Sequence, residues 1–198
     1  MLTVIVGPMF AGKSSRLFAH LRCAEIANQK TILLKPTTDT RALQLVSTHD
    51  GFTKPATEVD PAEALSPAAL AKYDVIGIDE GQFLDGLWVD VIEDLADGGA
   101  EVIVACLNQD FRGNPFGIAP HLIAVADRIE SLRAVCVDCG QKDTATRSYR
   151  TSDSEEQVEV GGSERYIALC RSCWVDRWAE RQRDGEAAPR ATQALSPV

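Results

Sequence analysis

The segment Gly7–Ser14, GPMFAGKS, has the spacing G-x-x-x-x-G-K-S that is typical of a phosphate-binding loop. Glycines let backbone N–H groups turn toward phosphate oxygens, and the start of the following helix adds partial positive charge. Lys13 would reach the transferred phosphate, and the Ser14 hydroxyl would bind Mg²⁺. A chance strand–turn–helix with a surface lysine is the alternative. The apolar run before the loop and the helical pattern after it favour a nucleotide site.

Two adjacent carboxylates, Asp79 and Glu80, follow the apolar run Val75–Ile78. Phosphate-loop proteins need a carboxylate at a strand end to hold Mg²⁺ or its water shell, and Asp79 suits that role. Glu80, if it points into the cleft, could accept a proton from an attacking hydroxyl group. The alternative is that the pair caps the next helix. The pair alone does not decide whether water or an alcohol attacks.

Four of the six cysteines form two tight pairs, Cys136/Cys139 and Cys170/Cys173, with 30 residues between the pairs. Four thiolates can complete a tetrahedral zinc site, with each pair contributing from one turn. A redox dithiol is the alternative, but redox motifs usually need only one pair, near a strand–helix junction. Because all four ligands are cysteines, we expect a structural zinc rather than an open catalytic metal site.

Short apolar strands alternate with helical patterns through residue 135. The expected strands are Leu2–Val6, Thr31–Leu34, Val75–Ile78, Glu101–Leu107 and Ile129–Val135. The expected helices are one that begins at Lys13, then Pro61–Lys72, Gly86–Ala96 and Ile118–Ala126, and the expected loops are Asp39–Pro55 and Asn108–Gly117. This order predicts an α/β fold in which helices flank a P-loop NTPase-like parallel sheet.

The character of the chain changes after residue 135, where cysteines, glycines and charges replace the long apolar runs. We therefore expect a nucleotide-binding domain over residues 1–135 and a small zinc-binding domain over residues 136–178. Residues 179–198 are polar and rich in Ala and Pro, which predicts a disordered tail.

Composition excludes several classes of protein. The net charge of −9 argues against a general nucleic-acid binder, which needs a basic face. No apolar run approaches the roughly 20 residues that cross a bilayer, and the first residues lack the pattern of a secretory signal. We expect a cytoplasmic protein without a membrane or nucleic-acid partner.

Several segments together are similar to the cellular-type (type II) thymidine kinases, up to about Trp174. They are the phosphate loop, Asp39–Arg41, Ser47–Asp50, Asp79–Phe83, Asp110–Phe116, both cysteine pairs and Gly161–Tyr166. The phosphate loop alone is generic, whereas the order of all these segments, with DEGQF and GGSERY before the last cysteine pair, is quite specific.

The resemblance implies transfer of the γ-phosphate of ATP, with Mg²⁺, to the 5′-hydroxyl of thymidine in nucleotide salvage for DNA synthesis. Deoxyuridine is a second candidate substrate. It also implies that a long loop of the zinc domain, the lasso, closes over the nucleoside. Family members are commonly homotetramers inhibited by thymidine triphosphate.

The resemblance also implies roles for individual residues. Glu80 is expected to be the general base. The residues expected to serve ATP and Mg²⁺ are Gly7, Pro8, Met9, Phe10, Ala11, Gly12, Lys13, Ser14, Asp39, Arg41, Asp79 and Gln82. The residues expected to contact thymidine are Met9, Leu107, Phe111, Phe116 and Tyr166, together with lasso residues Val158, Val160, Gly161 and Gly162. Without the family, core packing would be the better interpretation of any single one of these aromatics.

Some positions depart from the family pattern or are ambiguous. Asn108 stands where many relatives carry aspartate, and Cys106 where many carry glycine. Arg16 is either a solvent-facing helix residue or an extra phosphate contact, and the first is preferred. His49 is either structural or close to the site.

Two other functions compete with a nucleoside kinase. A P-loop ATPase or GTPase with a structural zinc module would hydrolyse nucleotide with a positioned water. A zinc module that binds nucleic acid would need a basic stripe beside the cysteines, but only scattered basic residues occur there.

Overall fold

The computed structural model describes residues 1–39, 44–48, 51–63, 65–152 and 164–183. Its centre is a six-stranded sheet in the order β5–β2–β6–β7–β1–β8. Every neighbouring pair in this sheet is parallel. The strands are β1 Leu2–Val6, β2 Thr31–Pro36, β5 Thr57–Val59, β6 Val75–Ile78, β7 Glu101–Cys106 and β8 Arg128–Ser131. The predicted parallel α/β fold is confirmed.

Helices cover both faces of this sheet because successive strand residues point to opposite sides. On one face, helix α1 (Lys13–Ile26) buries Leu17 and Leu21 against Ile5 of β1. On the other, helix α3 (Leu87–Asp97) buries Trp88 in a cluster that includes Val4, also from β1. Helix α4 (Ala119–Val125) lies on the α3 side. The two apolar layers fix the carboxyl ends of the strands at one edge, where ligands bind in open α/β sheets.

The C-terminal module has a small core of its own. Strands β9 (Arg147–Arg150) and β10 (Tyr166–Leu169) pair antiparallel, and helix α5 (Arg171–Arg183) follows. Trp174 and Trp178, one helical turn apart, are both buried, with their ring centroids 6.0 Å apart. Met9, Phe10 and Ala11 of the phosphate loop pack against the same cluster. The module therefore contacts the nucleotide-binding loop directly.

Two expectations about local structure were wrong. The helix predicted over Pro61–Lys72 is reduced to α2, Pro67–Leu70. Proline disfavours helical backbone at the residue before it, and Ser66, which precedes Pro67, is extended at ψ 132°. The loop predicted over Asp39–Pro55 contains a hairpin of β3 (Leu45–Ser47) and β4 (Thr53–Pro55). Val46 of this hairpin is buried against the α1 layer, which accounts for its order.

Helix α5 extends to Arg183, so residues 179–183 of the predicted disordered tail are helical. Arg181 donates hydrogen bonds to the backbone oxygens of Arg150 (3.1 Å) and Ser152 (2.8 Å), which holds the end of the helix to the module. The rest of the predicted tail, residues 184–198, lies outside the described residues. Among the helices of the described ranges, none combines the length and apolar character needed to span a membrane.

Candidate active site and metal centre

The phosphate loop occupies the predicted position between β1 and α1. Helix α1 begins at Lys13, directly after Gly12 in the left-handed conformation (φ 80°). Nζ of Lys13 donates a hydrogen bond to the backbone oxygen of Pro8 at 2.9 Å. The lysine side chain therefore folds back over its own loop.

Ser14 and Asp79 meet across the sheet, although 65 residues separate them in sequence. The Ser14 hydroxyl donates to Oδ2 of Asp79 at 2.8 Å, and Asp79 is only 2% exposed. Strand β7 lies between the strands that carry these two residues, and all three end at the same edge. A hydroxyl and a buried carboxylate side by side are the oxygen ligands that Mg²⁺ prefers.

Glu80 follows in an uncommon backbone conformation. Its φ of 53° and ψ of 38° place it in the left-handed region, so its side chain leaves the strand in a different direction from that of Asp79. Gln82, in the short 3-10 turn Gly81–Phe83, donates from Nε2 to Oε2 of Glu80 at 2.6 Å. The structure thus connects Gln82, expected beside the phosphates, with the predicted base.

Asp39, expected near the phosphates, lies at the end of the neighbouring strand β2. It is 8% exposed, and its backbone oxygen accepts a hydrogen bond from Nζ of the fully buried Lys35 at 3.0 Å. The same ammonium group lies 3.7 Å from Glu58. This buried cation fixes the chain immediately before residue 40.

The residues expected to contact thymidine separate into two groups. Met9 packs against a cluster containing the buried rings of Phe111 and Tyr166. The buried ring of Phe116 instead packs edge-to-face against Phe83, at 5.6 Å between centroids. Phe111 and Tyr166 therefore contribute both to the core and to an apolar wall beside the phosphate loop, whereas Phe116 packs on the turn that carries Phe83.

Leu107 follows β7, and its backbone N–H donates to Oε1 of Gln82 at 2.9 Å. This bond places Leu107 beside the Glu80–Gln82 pair, at the carboxyl edge of the sheet. Leu107, expected to contact thymidine, is therefore connected to the predicted base through Gln82.

Sequence reasoning missed Arg150, which it counted only among scattered basic residues. Its guanidinium carbon lies 3.9 Å from the centroid of Phe111, and Nη2 donates to the Tyr166 hydroxyl at 2.7 Å. Arg150 is fully buried. Stacking and a charge-assisted hydrogen bond therefore fix both rings. No local pattern signals this, because the three residues meet only through the fold.

Arg41, His49 and the lasso residues Val158, Val160, Gly161 and Gly162 lie outside the described residues.

The four paired cysteines form one cluster. The Sγ atoms of Cys136, Cys139, Cys170 and Cys173 all lie within 4.8 Å of one another. Tetrahedral zinc with Zn–S bonds of about 2.3 Å needs sulfur atoms roughly 3.8 Å apart, so the donor set and its spacing fit this ion.

A bidentate ion pair connects the first cysteine turn with helix α5. Arg177 donates to Asp138 at 2.9 and 2.8 Å, and this hydrogen bonding holds the pKa of the Asp138 carboxyl below its usual range. The pair joins the two halves of the cluster independently of the sulfur atoms.

The structure shows the surroundings of two residues that depart from the family pattern or are ambiguous in sequence, Arg16 and Cys106. Arg16 donates to Glu130 of β8, with 3.3 Å between Nη2 and Oε1, and its side chain is 45% exposed, which supports the preferred solvent-facing interpretation. Cys106 is fully buried, and burial raises the pKa of its thiol to about 12. It is therefore a neutral packing residue at the end of β7.

A phosphate loop after β1 and an acidic strand end across β7 define a P-loop nucleotide-binding protein, and the four-cysteine module that follows is compatible with a structural zinc. A family model described as thymidine kinase matches residues 1–174. The chain belongs to the thymidine kinase family.

Individual relatives agree with this membership. The thymidine kinase of Bacteroides thetaiotaomicron is 39% identical over 175 residues, which are 88% of this chain and 86% of the relative. The thymidine kinase of Porphyromonas gingivalis is 41% identical over 174 residues, which are 87% and 84% of the two chains. The resemblance inferred from the motifs is confirmed.

Proposed function

We propose that this chain transfers the γ-phosphate of ATP to the 5′-hydroxyl of thymidine, for nucleotide salvage. The observation that carries the proposal is the convergence of Lys13, Ser14, Asp79 and Glu80 at one edge of the parallel sheet. Phosphoryl transfer requires alignment and neutralisation of charge more than covalent chemistry, and this edge has the groups for both.

The phosphate side is assigned to the loop Gly7–Ser14. Its backbone N–H groups bind the phosphate oxygens, and Lys13 leaves the Pro8 oxygen to reach the transferred group. Ser14 and Asp79 would hold Mg²⁺, which neutralises the charge of the phosphates when bound. Asp39 and Arg41 are proposed to lie beside the phosphates.

Glu80 is proposed as the general base. It accepts the proton of the 5′-hydroxyl as that oxygen bonds to the γ-phosphorus, while the bond between this phosphorus and the bridging oxygen breaks and ADP leaves. Its left-handed backbone directs the carboxylate away from Asp79, which supports separate roles for the two neighbours.

The nucleoside is proposed to bind between the phosphate loop and the C-terminal module. A flat pyrimidine favours apolar and aromatic walls with few polar contacts. Met9, Leu107, Phe111, Phe116 and Tyr166 offer such walls, and lasso residues Val158, Val160, Gly161 and Gly162 are proposed to bond the base edge through their backbone. The four cysteines would hold a structural zinc that keeps this module folded.

Other properties are proposed from membership of the family. We expect a cytoplasmic homotetramer that is inhibited by thymidine triphosphate and has some activity on deoxyuridine. Sedimentation velocity would check the assembly, and steady-state rates with added triphosphate would check the inhibition.

The deciding experiment measures ADP formation from ATP with and without thymidine, across a panel of nucleosides. We expect turnover only when a pyrimidine deoxynucleoside is present. Hydrolysis at a comparable rate without thymidine would instead indicate a P-loop ATPase.

Glu80→Gln tests the base. We expect it to retain ATP binding and to lose about 10²-fold or more in transfer rate, because it cannot accept the proton. Glu63→Gln, at an exposed position, is the matched control. An unchanged rate in Glu80→Gln would remove Glu80 from the mechanism.

A further inference from the structure

Both ends of the Gln82 side-chain amide are hydrogen-bonded, and the side chain is 2% exposed. Oε1 accepts the backbone N–H of Leu107 at 2.9 Å, while Nε2 donates to Oε2 of Glu80 at 2.6 Å. The first bond determines the orientation of the amide, because a backbone N–H can only donate and must meet the oxygen. Gln82 therefore presents its NH₂ group to Glu80, and Glu80 must accept.

The backbone that carries Gln82 is closely packed. A Cβ atom on Gly81 would lie 2.5 Å from Cγ1 of Val104, and a Cβ on Gly117 would lie 1.9 Å from the backbone oxygen of Gln82. The turn is thus pressed against β7 on one side and against the Phe116–Gly117 segment on the other. A side chain anchored in this way has a fixed direction.

The backbone of Glu80 does not by itself determine the conformation of this residue. A left-handed conformation costs a residue with a side chain roughly 1 kcal/mol or more, so it persists only where surrounding contacts hold it. The residue is also only partly buried. The short bond from Gln82 is a contact of the kind that can hold it.

We propose that Gln82 is a positioning residue for the base: by donating to Oε2 it fixes the orientation of the Glu80 carboxylate. The proposal rests on the proposed function, since it takes Glu80 as the base. It assigns Gln82 to the acceptor side of the reaction, whereas the family pattern suggested the phosphate side. Gln82 touches neither reacting atom and acts through Glu80.

Gln82→Met is the direct test, because methionine has nearly the same length and no N–H donor. We expect kcat with thymidine to fall roughly 10-fold or more, while KM for ATP changes less than about 2-fold. A purely structural role would not separate kcat from KM for ATP in this way.

Two comparisons make the test specific. Gln141→Met, at an exposed position, controls for the substitution itself. In the Glu80→Gln background, Gln82→Met should cause little further loss, because its effect operates through Glu80. A full further loss in that background, or a higher KM for ATP at unchanged kcat, would overturn the proposal.

The outcomes separate this inference from the proposed function. If Glu80→Gln is inactive and Gln82→Met is normal, only the positioning role fails. If Glu80→Gln is fully active, the base assignment fails as well. Should Gln82→Met not fold, Gln82→Asn keeps the amide but is one methylene too short to bridge Leu107 and Glu80, and it must show the same fall in kcat with little change in KM for ATP.

Discussion

The backbone N–H of Met9 donates to the hydroxyl of Ser148 at 3.0 Å, and so joins the phosphate loop to strand β9, 139 residues later. Ser148 is 5% exposed. A loop that must place N–H groups toward phosphates is thereby held by the four-cysteine module. A substitution in the module at this contact should therefore also change how the phosphate loop binds ATP.

Ser148→Ala removes the acceptor and leaves the Met9 N–H without it. Losing such a buried bond costs about 1–3 kcal/mol, part of which should appear as a several-fold increase in the dissociation constant for ATP. Ser148→Thr retains the hydroxyl and is the control. Calorimetric ATP titrations would check this, and equal affinity in the alanine and threonine variants would show that the contact does not support the loop.

Cys170→Ser should lower zinc content and thermal stability together, because the binding of a structural metal is coupled to folding. Elemental analysis and melting curves measure the two effects. Cys23→Ser, outside the cluster, should change neither. A folded, metal-free Cys170→Ser protein with an unchanged melting temperature would contradict a structural zinc.

The two cysteines outside the cluster should differ in reactivity. The thiolate is the nucleophile, and burial raises the pKa of the Cys106 thiol to about 12, whereas Cys23 is exposed. We expect iodoacetamide to label Cys23 in the folded protein, and Cys106 only after denaturation. Peptide mass spectrometry distinguishes the two sites, and labelling of native Cys106 would show that the end of β7 opens readily.

Local sequence patterns were sufficient to predict the position of a residue where a single helix, strand or loop determines that position. The segment Gly7–Ser14 lies between a strand and a helix, and Asp79 ends a buried strand, so both positions followed from period and motif. The cysteine spacing likewise predicted the cluster.

Long-range packing accounts for what the sequence did not reveal. Arg150 meets Phe111 and Tyr166 only after β9 and β10 pair, and the bond from Gln82 to Leu107 depends on the neighbouring strand β7. Helix α5 extends beyond the expected boundary because buried Trp178 and the bonds of Arg181 stabilise a polar sequence. Composition alone predicted disorder for that stretch.

Glu130 should make a pH-dependent contribution to stability. Its carboxylate on the edge strand β8 accepts from Arg16, lies 3.0 Å from His20 and pairs with Arg128 at 3.1 Å, while its own side chain is 9% exposed. The bond from Arg16 is the main cause that holds the pKa of Glu130 below its ordinary value of 4.5.

A pKa that is lower in the folded state gives stability that is present above the unfolded value and is lost as the pH falls through the folded value. Glu130→Gln should therefore reduce the free energy of unfolding at pH 7, by on the order of 1 kcal/mol for a partly exposed network. The difference from the parent protein should shrink as the pH falls below about 4.5, the usual range of a glutamate. Urea denaturation of both proteins, with Glu63→Gln as the exposed control, measures it. A difference that stayed constant down to acid pH would mean that Glu130 acts through packing rather than through charge.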